Sequence, residues 1–217
     1  FMSDNGAAAE DFFYNKTYGP YIQSKFTYDG NMIGSPESFA SIGKEWAQVI
    51  TYPFKLYKGF STSGGMLAPL IIYGLDDVKP QISKEFTSIM DIAPSIYQIL
   101  GIESMNKRDL KSSFTLDGES IIPYLYNKQN KIHDKNYVFS FEHSGNAVLI
   151  KDNWKLVNKI IPFDEKNFEL YKISDISESE NLKSEFIDVY NQLLIEWNDY
   201  KRSKKIIFPT PYRDDLN

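Results

Sequence analysis

The sequence predicts an α/β protein whose carboxyl end is a small antiparallel sheet packed on a helix. Three observations predict it. Residues 66–73 form a nearly continuous apolar run, the pattern of a strand buried on both faces of a sheet. Residues 137–141, 147–151, 154–158 and 168–173 are short segments of alternating character, as antiparallel strands are. Phe186, Val189, Tyr190, Leu193, Leu194, Trp197 and Tyr200 recur at helical spacing and share one face.

Taken in order, Phe1-Met2-Ser3 reads as the last residues of a strand whose body has no room before it, so the chain is expected to be a fragment. Residues 7–57 carry no clean period and contain Pro20, Pro36 and Pro53, which predicts a long functional loop or lid. Pro69 places the start of the apolar run near a strand edge, because proline cannot donate to a ladder. A short strand is expected over 86–90. Asp91 then reads as the cap of a helix with Pro94 in its first turn and Gly101 at its stop. Residues 105–136 turn polar and basic around an apolar patch and read as a connection between subdomains. Asp152-Asn153 is expected to form a tight hairpin turn, and Asn181 or Glu180 to serve the amino end of the last helix.

Composition narrows the function classes. With 217 residues, 42% hydrophobic and 15% aromatic, the chain can bury a sizeable core. A net charge of −5 argues against a nucleic-acid partner, which would need a clustered basic face. The basic cluster Lys201-Arg202-Ser203-Lys204-Lys205 follows a helical pattern, where cations complement the negative end of the helix dipole. No apolar run approaches the ~20 residues that span a bilayer. Cysteine is absent, which removes disulfides, thiolate metal sites and cysteine nucleophiles from these residues.

The candidate chemistry lies in two segments. Asp4 and Asn5 stand where a strand ends and offer hard oxygen ligands of the kind calcium or magnesium prefers. Lys58, in Tyr57-Lys58-Gly59-Phe60 ahead of Gly64-Gly65, offers a compact positive charge suited to sulfate or phosphate. Loops at the carboxyl ends of sheet strands converge where α/β proteins bind ligands. Ser-Asp-Asn-Gly by itself is also an ordinary turn. His133 lies in a polar stretch and His143 at a strand end or turn, and both read as solvated. Neither stands in a serine-hydrolase or zinc-protease motif. Asn15-Lys16-Thr17 is a glycosylation sequon of a kind that also arises by chance.

Together these pieces resemble the sulfatase family, in its arylsulfatase branch within the alkaline-phosphatase-like superfamily. The segments that carry the likeness are Phe-Met-Ser-Asp-Asn-Gly at 1–6, residues 28–34 and 43–47, Leu56-Tyr57-Lys58-Gly59-Phe60 with Gly64-Gly65, and Met90-Asp91-Ile92-Ala93-Pro94-Ser95. Further along, Leu116-Asp117-Gly118-Glu119-Ser120, residues 152–157, Glu169-Leu170-Tyr171 and Glu180-Asn181-Leu182 continue it. Leu67 and Asn146 stand where the family often has arginine, and Lys172 where an aspartate commonly follows Leu-Tyr.

The resemblance implies the second half of an alkaline-phosphatase-like central sheet with flanking helices over 1–115. It implies a connection and a small carboxyl-terminal α+β subdomain over 116–217. It implies that Asp4 and Asn5 bind one calcium ion, that Asn5 also orients the sulfate, and that Lys58 contacts the sulfate as a catalytic and substrate-binding group. Family catalysis uses a formylglycine made from a Cys or Ser in a Cys/Ser-x-Pro-x-Arg segment. Here Pro209 precedes Pro211-Tyr212-Arg213 where that residue should stand, so the nucleophile is expected upstream of Phe1 and the chain alone is expected to be inactive.

The implied partners are a small-molecule sulfate ester and the amino-terminal half of the same enzyme, with no nucleic acid and no membrane span. A periplasmic or secreted location is implied in the same way. Hydrolysis of phosphate or phosphonate esters, and a catalytically silent anion- or cation-binding module, remain the alternatives. The organic part of the ester is left open among aryl, sugar and steroid groups.

Overall fold

A computed structural model of the chain describes residues 1–102 and 116–208. The chain forms two compact units, one of Phe1–Ile71 with Val138–Asn217 and the other of Ile72–Tyr137. The boundary expected at 115/116 abuts residues outside the described ones, and the Pro211-Tyr212-Arg213 triplet lies outside them.

In the first unit, four strands form a meander in the order β1 (Val138–His143), β2 (Asn146–Lys151), β3 (Trp154–Asn158) and β4 (Glu169–Lys172). Every neighbouring pair is antiparallel. The first hairpin turns on Ser144 at φ 54° and Gly145 at φ 90°, the left-handed backbone that two-residue hairpins require. The second turns at Asp152, at φ 52°, where the sequence predicts it.

The helix α6 (Ile187–Ser203) packs on this sheet as its period predicts. Tyr190, Leu193 and Trp197 are buried against Ala147, Leu149, Leu156, Phe168 and Leu170. Val148, Ile150, Lys155 and Val157 lie on the other face of the sheet and are buried as well, so both faces are covered. Asn181 does not cap α6: its side-chain oxygen accepts from the backbone N–H groups of Leu170 and Lys183 instead. The helix starts at Phe186 with no side-chain cap and with Asp188 in its first turn, where a negative charge meets the positive end of the dipole. Lys201 and Arg202 occupy its last turn, as expected.

The long excursion 7–57 is not uniformly irregular, since it contains α1 (Gly19–Lys25) and α2 (Gly43–Thr51). Phe13, Tyr14, Tyr28 and Phe39 pack their rings together within it. A doubly buried strand over 66–73 is not found. Met66 closes the short helix α3 (Ser63–Met66), and beyond it Leu67, Ile71 and Tyr73 are exposed. The run meets the amino-terminal residues through one antiparallel bridge, Met2 with Leu70. Pro69 has no N–H, and an interior strand needs paired neighbours on both edges, which the described residues do not supply.

The second unit holds α4 (Ile92–Ile99) and α5 (Ile122–Leu125). Residues 86–88 form no strand. Instead Ser88 caps a 3₁₀ turn over Ile89–Asp91, and Asp91 returns the bond from the other end as a capping box. Helix α4 stops where expected. Gly101, at φ 64°, donates to Gln98 O, and Ile102 N donates to Tyr97 O, which together make a Schellman motif.

Candidate functional site

The residues selected from the sequence lie on two segments that meet in the first unit. Phe1 and Ile71 exchange backbone hydrogen bonds and Ser3 N donates to Pro69 O, which holds the first residues extended along 69–71. The chain then bends over residues 4–6, where the Asn5 side-chain amide donates to Gly6 O at 2.8 Å. A β-carbon on Gly6 would stand 1.9 Å from Gly64 O, so only glycine lets the bend lie against the double glycine. Next to this contact, Lys58 N donates to Ala7 O at 3.1 Å.

The double glycine has a packing reason of its own. A β-carbon on Gly64 would meet Leu56 O at 1.9 Å, and one on Gly65 would meet Phe60 O at 2.2 Å. Helix α3 therefore folds directly onto the backbone of the loop that carries Lys58. That loop also turns through Leu56 at φ 59° and Gly59 at φ 99°.

The backbones of Asp4-Asn5-Gly6-Ala7 and of Lys58 are thus brought side by side, although the residues are far apart in sequence. Among the side chains, the Lys58 ammonium faces Glu10 Oε1 at 3.4 Å. Asp4 is exposed, and its carboxylate enters no hydrogen bond or ion pair among the described residues. The bond from Asn5 Nδ2 leaves its Oδ1 as the acceptor not used by the turn.

Sequence reasoning missed Glu10. Its signal was slight, the first of two acids after three alanines, yet its second oxygen is buried without a hydrogen-bond partner among the described residues. An acid beside Lys58 holds the ammonium in place without consuming all three of its donors.

A second cluster lies in the other unit. Asp91 is fully buried and accepts from Ser88 N at 2.7 Å and Glu119 N at 2.9 Å, with His133 Nε2 at 3.1 Å. Burial alone would raise this carboxyl, but the hydrogen bonds from His133, Ser88 and Glu119 together hold it below the ordinary value. His133 is not solvated: its side chain is 7% exposed and stacks on Tyr137 at 3.7 Å. Burial and the Asp91 charge push the Tyr137 hydroxyl up to about 12. Gly118 lies on the Met90–Asp91 backbone, where a β-carbon would come within 2.2 Å of Met90 O. The Leu116-Asp117-Gly118-Glu119-Ser120 segment therefore docks on the Asp91 turn. His143 is exposed at the end of β1, as expected.

Calcium takes six to eight oxygen ligands. Asp4 and Asn5 carry oxygens of that kind, fewer than that number. No group of three or more His, Cys, Asp or Glu side chains that could hold a metal ion gathers anywhere among the described residues. No helix there is long and apolar enough to cross a membrane.

No protein-family model matches the chain. Among curated proteins, it is similar to an uncharacterized sulfatase of Schizosaccharomyces pombe (strain 972 / ATCC 24843), 29% identical over 212 residues. The match takes in 95% of this chain and 38% of that protein. Among solved structures, the one described as "Crystal structure of Ps i-CgsB" matches with a TM-score of 0.58 at 18% identity, over 92% of this chain and 35% of that one. The structural likeness shows a shared fold. The chain spans well under half the length of either protein.

Proposed function

From its relationship to a sulfatase along nearly its whole length, we propose that this chain forms the part of a sulfuric ester hydrolase in which Asp4, Asn5 and Lys58 hold a sulfate group. The observation that carries the reading is the meeting of the two segments, with Gly6 on Gly64 and Lys58 N on Ala7 O. A bare turn at residues 3–6 gives no reason for that meeting. The resemblance assigns anion and metal roles to these same residues.

Asp4 and the Asn5 side-chain oxygen would hold calcium, with further ligands coming from residues other than these. When bound, the ion would supply positive charge beside the sulfate oxygens. Lys58 has three donors, so it can keep Glu10 and still donate to a sulfate oxygen as negative charge develops. Preorganised charge of this kind is the main way such a site lowers a barrier. Glu10 fixes where the ammonium stands before substrate arrives. The 217 residues contain no cysteine, so a formylglycine made from cysteine has to come from sequence outside them.

The test is turnover of an aryl sulfate by the intact protein that carries this stretch, with and without calcium, for wild type and Asp4→Ala. The reading expects Asp4→Ala to lose on the order of a hundredfold in kcat/KM. It also expects added calcium to restore little of that loss. Full activity in Asp4→Ala, or a preference for the matching phosphate ester, would overturn it.

A further inference from the structure

The loop that carries Lys58 is pinned at four places to the carboxyl-terminal sheet and to the segment that follows β4. Lys55 Nζ donates to Glu178 O at 2.8 Å, and Asn146 Nδ2 donates to Gly59 O at 3.1 Å. Ser61 Oγ donates to Asn158 O at 2.8 Å. Ser63 donates to Glu178 Oε1 through both its backbone N–H and its hydroxyl, each at 2.9 Å. Residues 55, 59, 61 and 63 are therefore held, and Lys58 lies between the first two.

Glu178 grips this loop at both ends, through its carbonyl at Lys55 and its carboxylate at Ser63. It is fully buried and sits at φ 48°, a left-handed conformation that a non-glycine residue keeps only where its surroundings hold it. Lys155 from β3, itself 5% exposed, pairs with Glu178 Oε1 and donates to Ser63 Oγ at 3.2 Å. Burial pulls the Lys155 ammonium down and the Glu178 charge opposes that pull. Glu178 Oε2 and Thr62 Oγ1 are buried without hydrogen-bond partners among the described residues.

A buried ion pair is a poor way to gain stability, because well-packed apolar residues of the same volume do as well or better. Such a pair is useful where a fixed geometry matters, and here each member bonds to the loop beside the anion-binding lysine. We propose that Glu178, charge-balanced by Lys155 and bonded to Ser63, is a positioning residue that sets where Lys58 presents its ammonium. The proposal rests on the sulfate-binding reading of Lys58. It adds that the carboxyl-terminal sheet, whose residues touch no substrate in that reading, tunes the site through this clamp.

Two measurements test it, on Glu178→Gln and on the milder Ser63→Ala, so that one poorly folding variant does not decide the outcome. The first is amide hydrogen exchange of the chain itself. Amides of residues 56–65 should exchange about tenfold faster in both variants, while those of β2 and β3 keep their rates. Unchanged exchange in the loop would overturn the clamp. The second is aryl sulfate turnover by the intact protein in a double-mutant cycle with Lys58→Ala. Each variant should lower kcat/KM severalfold in the wild-type background and have no further effect once Lys58 is gone. An equal penalty in both backgrounds would reduce the cluster to a structural anchor and overturn the positioning role. If Lys58→Ala is itself silent, the sulfate reading fails, and the exchange result still decides whether the clamp exists.

Discussion

The loop 55–65 and the stretch that follows it, 67–82, are neighbours in the chain and opposites in construction. The loop is polar and glycine-rich, yet Ser61, Thr62 and Ser63 are buried, and Gly59 O, Ser61 Oγ and Ser63 N are bonded to Asn146, Asn158 and Glu178, all far away in sequence. The stretch opens on a nearly continuous apolar run, yet Ile71, Tyr73 and Ile82 are 59%, 99% and 95% exposed. Order at a given place thus follows from whether specific partners close on it rather than from hydrophobicity. A loop fixed by backbone bonds and glycine contacts suits a residue that must present a charge at one position. An apolar stretch with one bridge is a surface that other chain can cover.

The largest effect that would break this comparison is expected at Gly64. Gly64→Ala forces a β-carbon onto Leu56 O, which is backbone and cannot move aside, so stability should fall by about 3 kcal/mol, read from urea unfolding. A change below about 0.5 kcal/mol would mean that the loop is looser than described.

A smaller effect concerns pH. The Asp91 carboxyl is held below its ordinary 3.8, so its hydrogen bonds contribute fully above that value and are lost as pH falls through the folded value. Urea midpoints should therefore drop on acidification below about pH 4, and Asp91→Asn should flatten that drop. Glu169 and Asp175 are lowered too and will leave part of the slope in place. An identical acid limb in the variant would remove Asp91 from the account.

The smallest effect is expected in the exposed stretch. Ile72→Ser should change unfolding stability by no more than about 0.5 kcal/mol, and it should reduce binding of a hydrophobic dye. A loss of several kcal/mol would show that the run is packed after all.

The same contrast explains which elements could be read from sequence. β1 to β4 and α6 bring their own partners within one stretch, so alternation and a helical period fix both their class and their pairing. The turn at Asp152 and the stop at Gly101 were legible because each needs a left-handed backbone that few residues adopt readily. Residues 66–73 misled because an apolar run reports a tendency to be covered and says nothing about whether neighbouring strands exist.

Asp91 reads as the cap of α4 from sequence; it stands at that position without a side-chain cap bond, its carboxylate accepting from Ser88 N instead, and its other partners Glu119 and His133 lie too distant in sequence for any local pattern. Of the candidate site, Asp4, Asn5 and Lys58 were legible through family likeness. Glu10, Lys155 and Glu178 were not, since a lone acid or lysine in a sequence carries no sign of burial.

One comparison bears most directly on the central claim, that Lys58 and the Asp4-Asn5 turn serve one sulfate-binding site. It is the kcat/KM for an aryl sulfate of the intact protein against that of Lys58→Ala, with Lys58→Arg as the charge-preserving control. The account predicts a loss on the order of a hundredfold for alanine and a smaller loss for arginine, whose fork keeps the charge but alters its geometry. Activity of the alanine variant within twofold of wild type would contradict it.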